Sequence, residues 1–451
     1  MMTTAIAVFT RDLRVHDNPV LAAAAGAGRV VPLFVRDTAV ERTGFVSGPR
    51  GRFLDECLAD LDHELRSRGA ALVLRNGDLV AEVVRLVREV AATDVHIAAD
   101  VSGFAVRRQR RLHAELPSQR CELTVHDAVH TALAPGTVTP QGNDHFAVFT
   151  PYHRRWANAA FRDIAAPPRR LRLPEALCSP DPVASGGESG WLGGESEARR
   201  RAHDWLAEHA DGYQDRHDDL ADESGTSRLS PHLHFGCLSA RELVADAGAR
   251  GSEGADAFVR QLAWRDFHHQ VLAARPEAAH RDYRSRSDAW RDDPQALQAW
   301  QDGRTGVPVV DAGMRQLAAE GWMHNRARLI VGSFLTKTLY LDWRAGAAHF
   351  LRHLLDGDVA NNQLNWQWVA GTGNDTRPNR VLNPVRQAER YDPSGDYVRR
   401  WVPELAELDR PRDLHQPWRL GADALHRLDY PPPVVDLESA RQRFQRHRGA
   451  A

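Results

Sequence analysis

The sequence has 451 residues, 42% of them apolar, and a formal net charge of −2. That length supports two or three domains with ordinary cores, and the near-neutral balance excludes a protein that holds nucleic acid by overall charge, leaving only a local arginine patch for that purpose. Lys337 is the sole lysine, so arginine supplies 57 of the 58 basic residues; a Walker-type phosphate loop is excluded, and Schiff-base chemistry depends on one residue inside the apolar SFLTKTLYLDW. Cys57, Cys121, Cys178 and Cys237 are widely spaced with no CxxC, which predicts buried reduced thiols and neither a disulfide framework nor a metal site. No apolar run is long enough to cross a membrane, and the N-terminus MMTTAIAVFTRDLR has no cleavable signal, so a cytoplasmic protein is expected.

In chain order, the short apolar runs AIAVF, RVVPLFV, AALVLR, VHIAA and ELTVH recur over residues 1–130, with amphipathic stretches between them. Strands alternating with helices predict βαβ units, a Rossmann-like α/β domain with a parallel sheet. The first run continues into FTRDLRVHDNP and not into GxGxxG, so the dinucleotide fingerprint is missing, although a ligand at the carboxyl ends of the strands stays possible. Residues 131–198 are assigned to an interdomain linker, Pro-, Gly- and Ser-rich from about 165 onward. Beyond it, ADAFVRQLAWRDFHHQVLAAR, VVDAGMRQLAAEGWMHNRARLIVGSFLTKTLYLDW and WRAGAAHFLRHLLDGD repeat apolar residues at three and four, which predicts an all-α domain over 199–451.

Four segments carry candidate chemistry. GTSRLSPHLHFG sets Thr226, Ser227 and Ser230 around Arg228 at a helix start, an arrangement suited to a pyrophosphate and equally to ordinary capping. In FVRQLAWRDF, Gln261, Trp264 and Arg265 share one helical face with Phe258 a turn earlier, suiting a flat ligand with hydrogen-bonding edges; the alternative is a core Trp beside a snorkelling Arg. GWMHNRARLIVGSF aligns Asn325, Arg328 and Leu329 while Arg326 points elsewhere. The apolar flanks predict that Asn325 and Arg328 are half-buried and need partners, for example an ion pair with Asp356. In DGDVANNQLNWQW, a helix turning roughly 100° per residue would project Trp366 and Trp368 to opposite sides and give them different tasks. Eight of the twelve tryptophans fall between 264 and 401, more than core packing alone requires.

These segments, in this order and together with VFTRDLRVHDNPVL and DGDVANNQLNWQWVAGTGNDTRPNRVLNP, resemble the photolyase/cryptochrome family over nearly the whole chain. The sequence is most similar to class I cyclobutane pyrimidine dimer photolyases of actinobacterial type. The resemblance implies an α/β antenna domain and a C-terminal helical domain that binds FAD and DNA. It implies that Tyr213, Thr226, Ser227, Arg228, Leu229 and Ser230 hold the FAD phosphates and ribityl chain, and that Arg265, Asn325, Arg328, Asp356, Asp358 and Asn362 surround its rings and ribose. Trp366, Trp343 and Trp290 would relay electrons, with Asn362 beside the flavin. Gln261, Trp264, Leu329 and Trp368 would line the pocket for a flipped dimer, and Arg326 and Arg380 would take flanking phosphates. The expectation is light-driven repair of dimer-containing DNA by a monomer that uses reduced FAD.

Two departures mark this chain: a dimer-contacting glutamate of the family is Gln261 and a contacting methionine is Leu329, changes that keep a hydrogen-bonding edge and an apolar contact. The alternatives are a blue-light cryptochrome, which Asn362 and the short stretch after LDYPPPVVD argue against, and a (6-4) photolyase, whose histidine pair Leu329 interrupts. Phe34, Arg50 and Asp100 match an antenna pocket for 8-hydroxy-5-deazaflavin, yet His234 and Ser102 stand where its users carry a lysine and a carboxylate. Methenyltetrahydrofolate is the alternative antenna.

Overall fold

The computed structural model describes residues 3–43, 45, 48–177, 180–185 and 190–448. Cys178 lies outside them; Cys57, Cys121 and Cys237 are buried and free. The chain forms two compact units, Met1–Gln214 with Ser227–Pro276, and Asp215–Thr226 with Glu277–Ala451. These units cut the chain at other points than the stretch 131–198.

The first unit is built on five parallel strands, β1 (Thr4–Phe9), β2 (Arg29–Asp37), β3 (Val73–Gly77), β4 (Asp94–Ala98) and β5 (Glu122–His126), in the order β3-β2-β1-β4-β5. Every residue of β1 is buried, as a central parallel strand covered on both faces requires. Ile6 pairs with Val31 and Val95, Val8 with Leu33 and Ile97, and the Leu79–Val90 helix adds Val83, Leu86 and Val87 to the same core. The run AALVLR becomes strand only from Val73, because Ala70 N donates to Leu65 O and Leu72 N to Asp62 Oδ1 at 2.8 Å, which ties its first residues to the preceding helix.

The loop after β1 explains the motif FTRDLRVHDNP as architecture. Asp12, Arg14, Asp17 and Asn18 are all 0–1% exposed. The Arg14 guanidinium donates to the carbonyls of His16, Asp17, Val129 and Gly236. Asn18 caps the Pro19–Ala24 helix by accepting from Val20 N and Leu21 N. A buried cation whose three nitrogens all donate to backbone carbonyls holds loops together.

Part of the expected linker is core. The Phe149–Trp156 helix buries Phe149, Tyr152 and Trp156, packs on the Glu253–Ala274 helix, and donates the Trp156 indole N–H to Asp266 at 2.9 Å. Within 131–198, residues 131–148 and the described residues of 157–194 lack helix and strand.

The second unit is helical and contains no strand among its described residues. Trp300, Ile330, Phe334, Trp343, Phe350 and Trp366 lie in its core, contributed by helices that include Asn325–Ser333, Trp343–His353 and Val359–Ala370.

Candidate functional site

The Val359–Ala370 helix organises the second unit's site. Asp358 starts it by accepting from Asn361 N at 2.8 Å, and Gly371, at φ 79, ends it. As its helical spacing predicts, the two tryptophans differ: Trp366 is 4% exposed and packs edge-on against Phe350 (4.9 Å) and Trp300 (5.9 Å), while Trp368 is half-buried. Gly346 makes the Trp366 position possible, since a Cβ there would stand 2.3 Å from the indole ring.

Beside Trp366, one pocket is lined by Asn325, Arg328, Leu329, Gly332, Asp356, Asn361 and Asn362, among others. Arg328 reaches Asp356 with two hydrogen bonds of 3.1 and 2.8 Å and donates Nε to Met323 O at 2.8 Å. The ion pair read from the sequence therefore exists, and it stands on the pocket wall. Asn362 is 8% exposed and donates Nδ2 to Ala347 O and Gln363 Oε1, both at 3.1 Å. Its Oδ1 accepts no hydrogen bond among the described residues, which leaves an acceptor for a ligand N–H.

Asn325 is a correction: it is exposed, not half-buried, because it is the first residue of its helix, outside the packed turn. The buried residue there is His324, whose Nδ1 accepts from Arg326 N at 3.1 Å and whose pKa burial drives down to about 4. Arg326 is engaged by Asp218 through bonds of 3.1 and 2.5 Å and lies over the Tyr391 ring at 4.4 Å. Any phosphate it takes competes with that carboxylate. Arg380 is exposed, and its backbone carbonyl accepts from Lys337 Nζ at 2.6 Å.

Trp343 is fully buried and donates Nε1 to Asp282 at 2.9 Å, whereas Trp290 is half-buried. The sequence reading missed Trp300, Asp282 and Gly346. Only Gly346 left a local signal, a lone glycine inside a helix, where it costs about 1 kcal/mol against Ala and marks a close approach.

In the first unit, Gln261, Trp264 and Arg265 are half-buried along the Glu253–Ala274 helix. Trp264 stacks on Phe149 at 3.7 Å and 7°, a partner 115 positions upstream that no periodicity announces. Arg265 donates to the carbonyls of His130 and Leu233. Arg228 adopts φ 51 and lies over Trp191 at 4.8 Å, with Leu229 buried and Ser230 opening the short Ser230–Phe235 helix. Tyr213 is buried against Trp205 and Phe258, while Ser227 belongs to this unit and Thr226 to the second. Of the antenna candidates, Phe34 lies in β2, Arg50 is buried over Phe45 at 4.2 Å, and Asp100 accepts from Arg11 Nε at 2.7 Å. The His234 ring also meets Phe45, at 6.0 Å.

Two family models match: the FAD binding domain of DNA photolyase over residues 258–449, and DNA photolyase over 5–170. The chain is 58% identical to a deoxyribodipyrimidine photo-lyase of Streptomyces griseus, covering 99% of this chain and 100% of the relative. Among solved structures, it is similar to a bacterial class III photolyase from Agrobacterium tumefaciens (32% identity, TM-score 0.90, covering 100% of this chain and 98% of that one). It is also similar to a Synechocystis cryptochrome (28% identity, TM-score 0.89, 98% of both chains).

Proposed function

The chain belongs to the DNA photolyase family, and from that premise we propose how its residues carry out the light-driven splitting of cyclobutane pyrimidine dimers in DNA. It is a flavoprotein lyase of DNA repair, and the cryptochrome alternative has less support, the photo-lyase identity being 58% against 28% for the solved cryptochrome.

The second unit's pocket fits FAD by its donor set: a carboxylate-paired guanidinium, amides from Asn325, Asn361 and Asn362, and an indole wall at Trp366, which suit a flat ring with polar edges. Bound there, reduced FAD would supply light-driven one-electron chemistry for splitting the cyclobutane ring. The protein's own work is positional. Arg328, held by Asp356, would present a fixed cation to the ring, and Asn362, its Nδ2 engaged by Ala347 O, would offer Oδ1 to an N–H of it. Asp358 orders the helix start, and Tyr213, Thr226, Ser227, Arg228, Leu229, Ser230 and Arg265 are assigned to the remaining cofactor atoms. Trp366, Trp343 and Trp290 form the relay that restores the reduced state. Trp343 gives its N–H to the carboxylate of Asp282, which favours transient positive charge on it.

Trp368, Leu329, Trp264 and Gln261 serve the flipped dimer: stacking surfaces, an apolar contact and a hydrogen-bonding edge. Arg326 and Arg380 take phosphates. Functionally the chain divides into an antenna domain (1–130), a connecting segment (131–198) and a catalytic domain (199–451). The antenna is 8-hydroxy-5-deazaflavin around Phe34, Arg50 and Asp100, with methenyltetrahydrofolate the competing ligand; the protein acts as a cytoplasmic monomer. Among the described residues no helix is long and apolar enough to cross a membrane.

The observation that carries this reading is the Val359–Ala370 helix, which buries Trp366 beside the Arg328–Asp356 pocket and leaves Trp368 half-open. The test uses reduced holoprotein and an oligonucleotide with a single thymine cyclobutane dimer. Repair in blue light and none in darkness is expected; no repair with FAD bound and reduced would shift the reading to (6-4) lesions or signalling.

A further inference from the structure

The corner that holds Trp290 contains an aromatic residue that the three-tryptophan relay does not use. Tyr340 is 1% exposed, its ring centroid lies 5.1 Å from that of Trp290, and its hydroxyl donates to Asp288 Oδ1 at 2.9 Å. Its backbone stands at φ 60, a left-handed conformation that a bulky residue rarely adopts and that survives only where the surroundings fix it. They do so here. Arg291 N donates to Tyr340 O at 2.9 Å, Arg291 Nη1 donates to Leu339 O at 3.0 Å, and the ring stacks on His447 at 5.0 Å and 17°. Asp288 is 1% exposed at its side chain and is clamped by Arg448, whose Nε donates to one carboxylate oxygen at 2.6 Å and whose Nη2 donates to the other.

The charges around the two outer tryptophans differ in a way that matters for a positive hole. Trp343 donates its N–H to a carboxylate. Trp290 makes no such bond among the described residues and has the Arg448 guanidinium 5.7 Å from its ring. A radical cation on Trp290 therefore lacks the carboxylate partner that Trp343 has, since the nearby guanidinium is already paired with Asp288, while the adjacent phenol points its proton at that carboxylate. Burial and the bond to Asp288 push the Tyr340 pKa up to about 12, so the resting side chain is a phenol with its proton in place.

We propose that Tyr340 is a fourth redox residue of the relay: it gives one electron to the Trp290 radical cation as its phenolic proton passes to Asp288. The proposal rests on the reading of Trp366, Trp343 and Trp290 as an electron chain. In this step Trp290 is reduced and Tyr340 is oxidised to a neutral radical. The phenol O–H bond breaks, an O–H bond forms on Asp288, and the total charge of the corner is unchanged. Return of the hole then requires the proton to move back with it, which lengthens the time for which the cofactor stays reduced.

The test is flash excitation of the oxidised holoprotein, followed by transient absorption and electron paramagnetic resonance, in wild type, Tyr340→Phe, Asp288→Asn and Trp366→Phe. A tyrosyl signal should rise as the tryptophanyl signal decays and should rise more slowly in heavy water. Tyr340→Phe should abolish the tyrosyl signal and leave a longer-lived tryptophanyl signal, and Asp288→Asn should slow the tyrosyl rise with the ring still present. A tyrosyl signal that persists in Tyr340→Phe overturns the proposal. So does a wild type that shows tryptophanyl radical only, and if Trp366→Phe still blocks photoreduction the relay survives that failure. Photoreduction of Trp366→Phe at the wild-type rate removes the relay itself, and the proposal with it.

Discussion

Arg14 and Arg328 both sit in signature segments, yet they do opposite things. Arg14, 1% exposed in the first unit, is surrounded by four backbone carbonyls and closed to any ligand. Arg328, half-buried in the second, is held by one carboxylate and one carbonyl and stands on a pocket wall. A guanidinium satisfied wholly by main chain locks loops; one satisfied by a single charged partner at a cavity is held in place for something else.

Breaking the first arginine should have the largest effect. Arg14→Met strands buried carbonyls and removes a cation among Asp12, Asp17 and Glu195, a loss of about 3–5 kcal/mol. Thermal denaturation and soluble yield read it directly; a Tm within a degree of wild type would remove the structural role. Gly346→Ala comes next. The added methyl would meet the Trp366 ring at 2.3 Å and the Leu335 side chain at 2.6 Å, an overpacking worth about 1–3 kcal/mol, with a shifted Trp366 fluorescence.

Arg328→Met sharpens the comparison from the other side. It should cost about 1–3 kcal/mol, because it takes the guanidinium from a carboxylate that is 5% exposed, while flavin absorbance after gel filtration falls far more than stability does. Equal losses in folding and flavin retention would make Arg328 a second Arg14.

The smallest effect concerns pH. Burial holds His232 and His324 down at about 4 and His349 at about 3, so these rings fold neutral while the unfolded chain binds protons below about 6.5. Their stabilising contribution is present above 6.5 and lost as pH falls toward 4. Asp311 and Asp392, raised by burial to about 6, work the other way between about 4 and 6. His126, also held at about 4 by burial, adds to the histidine side, so Tm should fall from pH 7.5 to 5, and His349→Asn should reduce that fall.

How much the sequence determined follows the range of the interactions involved. The strands of the α/β layer, the helical second half and the opposed tryptophans of the Val359–Ala370 helix were legible, because periods of two and 3.6 are local properties of the chain. The Arg328–Asp356 pair was legible too, since an Arg in an apolar helix demands a partner and Asp356 lay in the neighbouring polar segment. Tertiary structure alone decided the rest. FTRDLRVHDNP gave no sign that its charges serve the fold, because the carbonyls that satisfy Arg14 come from residues as distant as Gly236. Phe149 under Trp264, Trp300 beside Trp366, Asp218 on Arg326 and the Tyr340–Asp288–Arg448 corner bring together residues tens to more than a hundred positions apart. Hydrophobic pattern fixes which face of an element is buried, but which distant side chain meets that face is set only when whole elements pack.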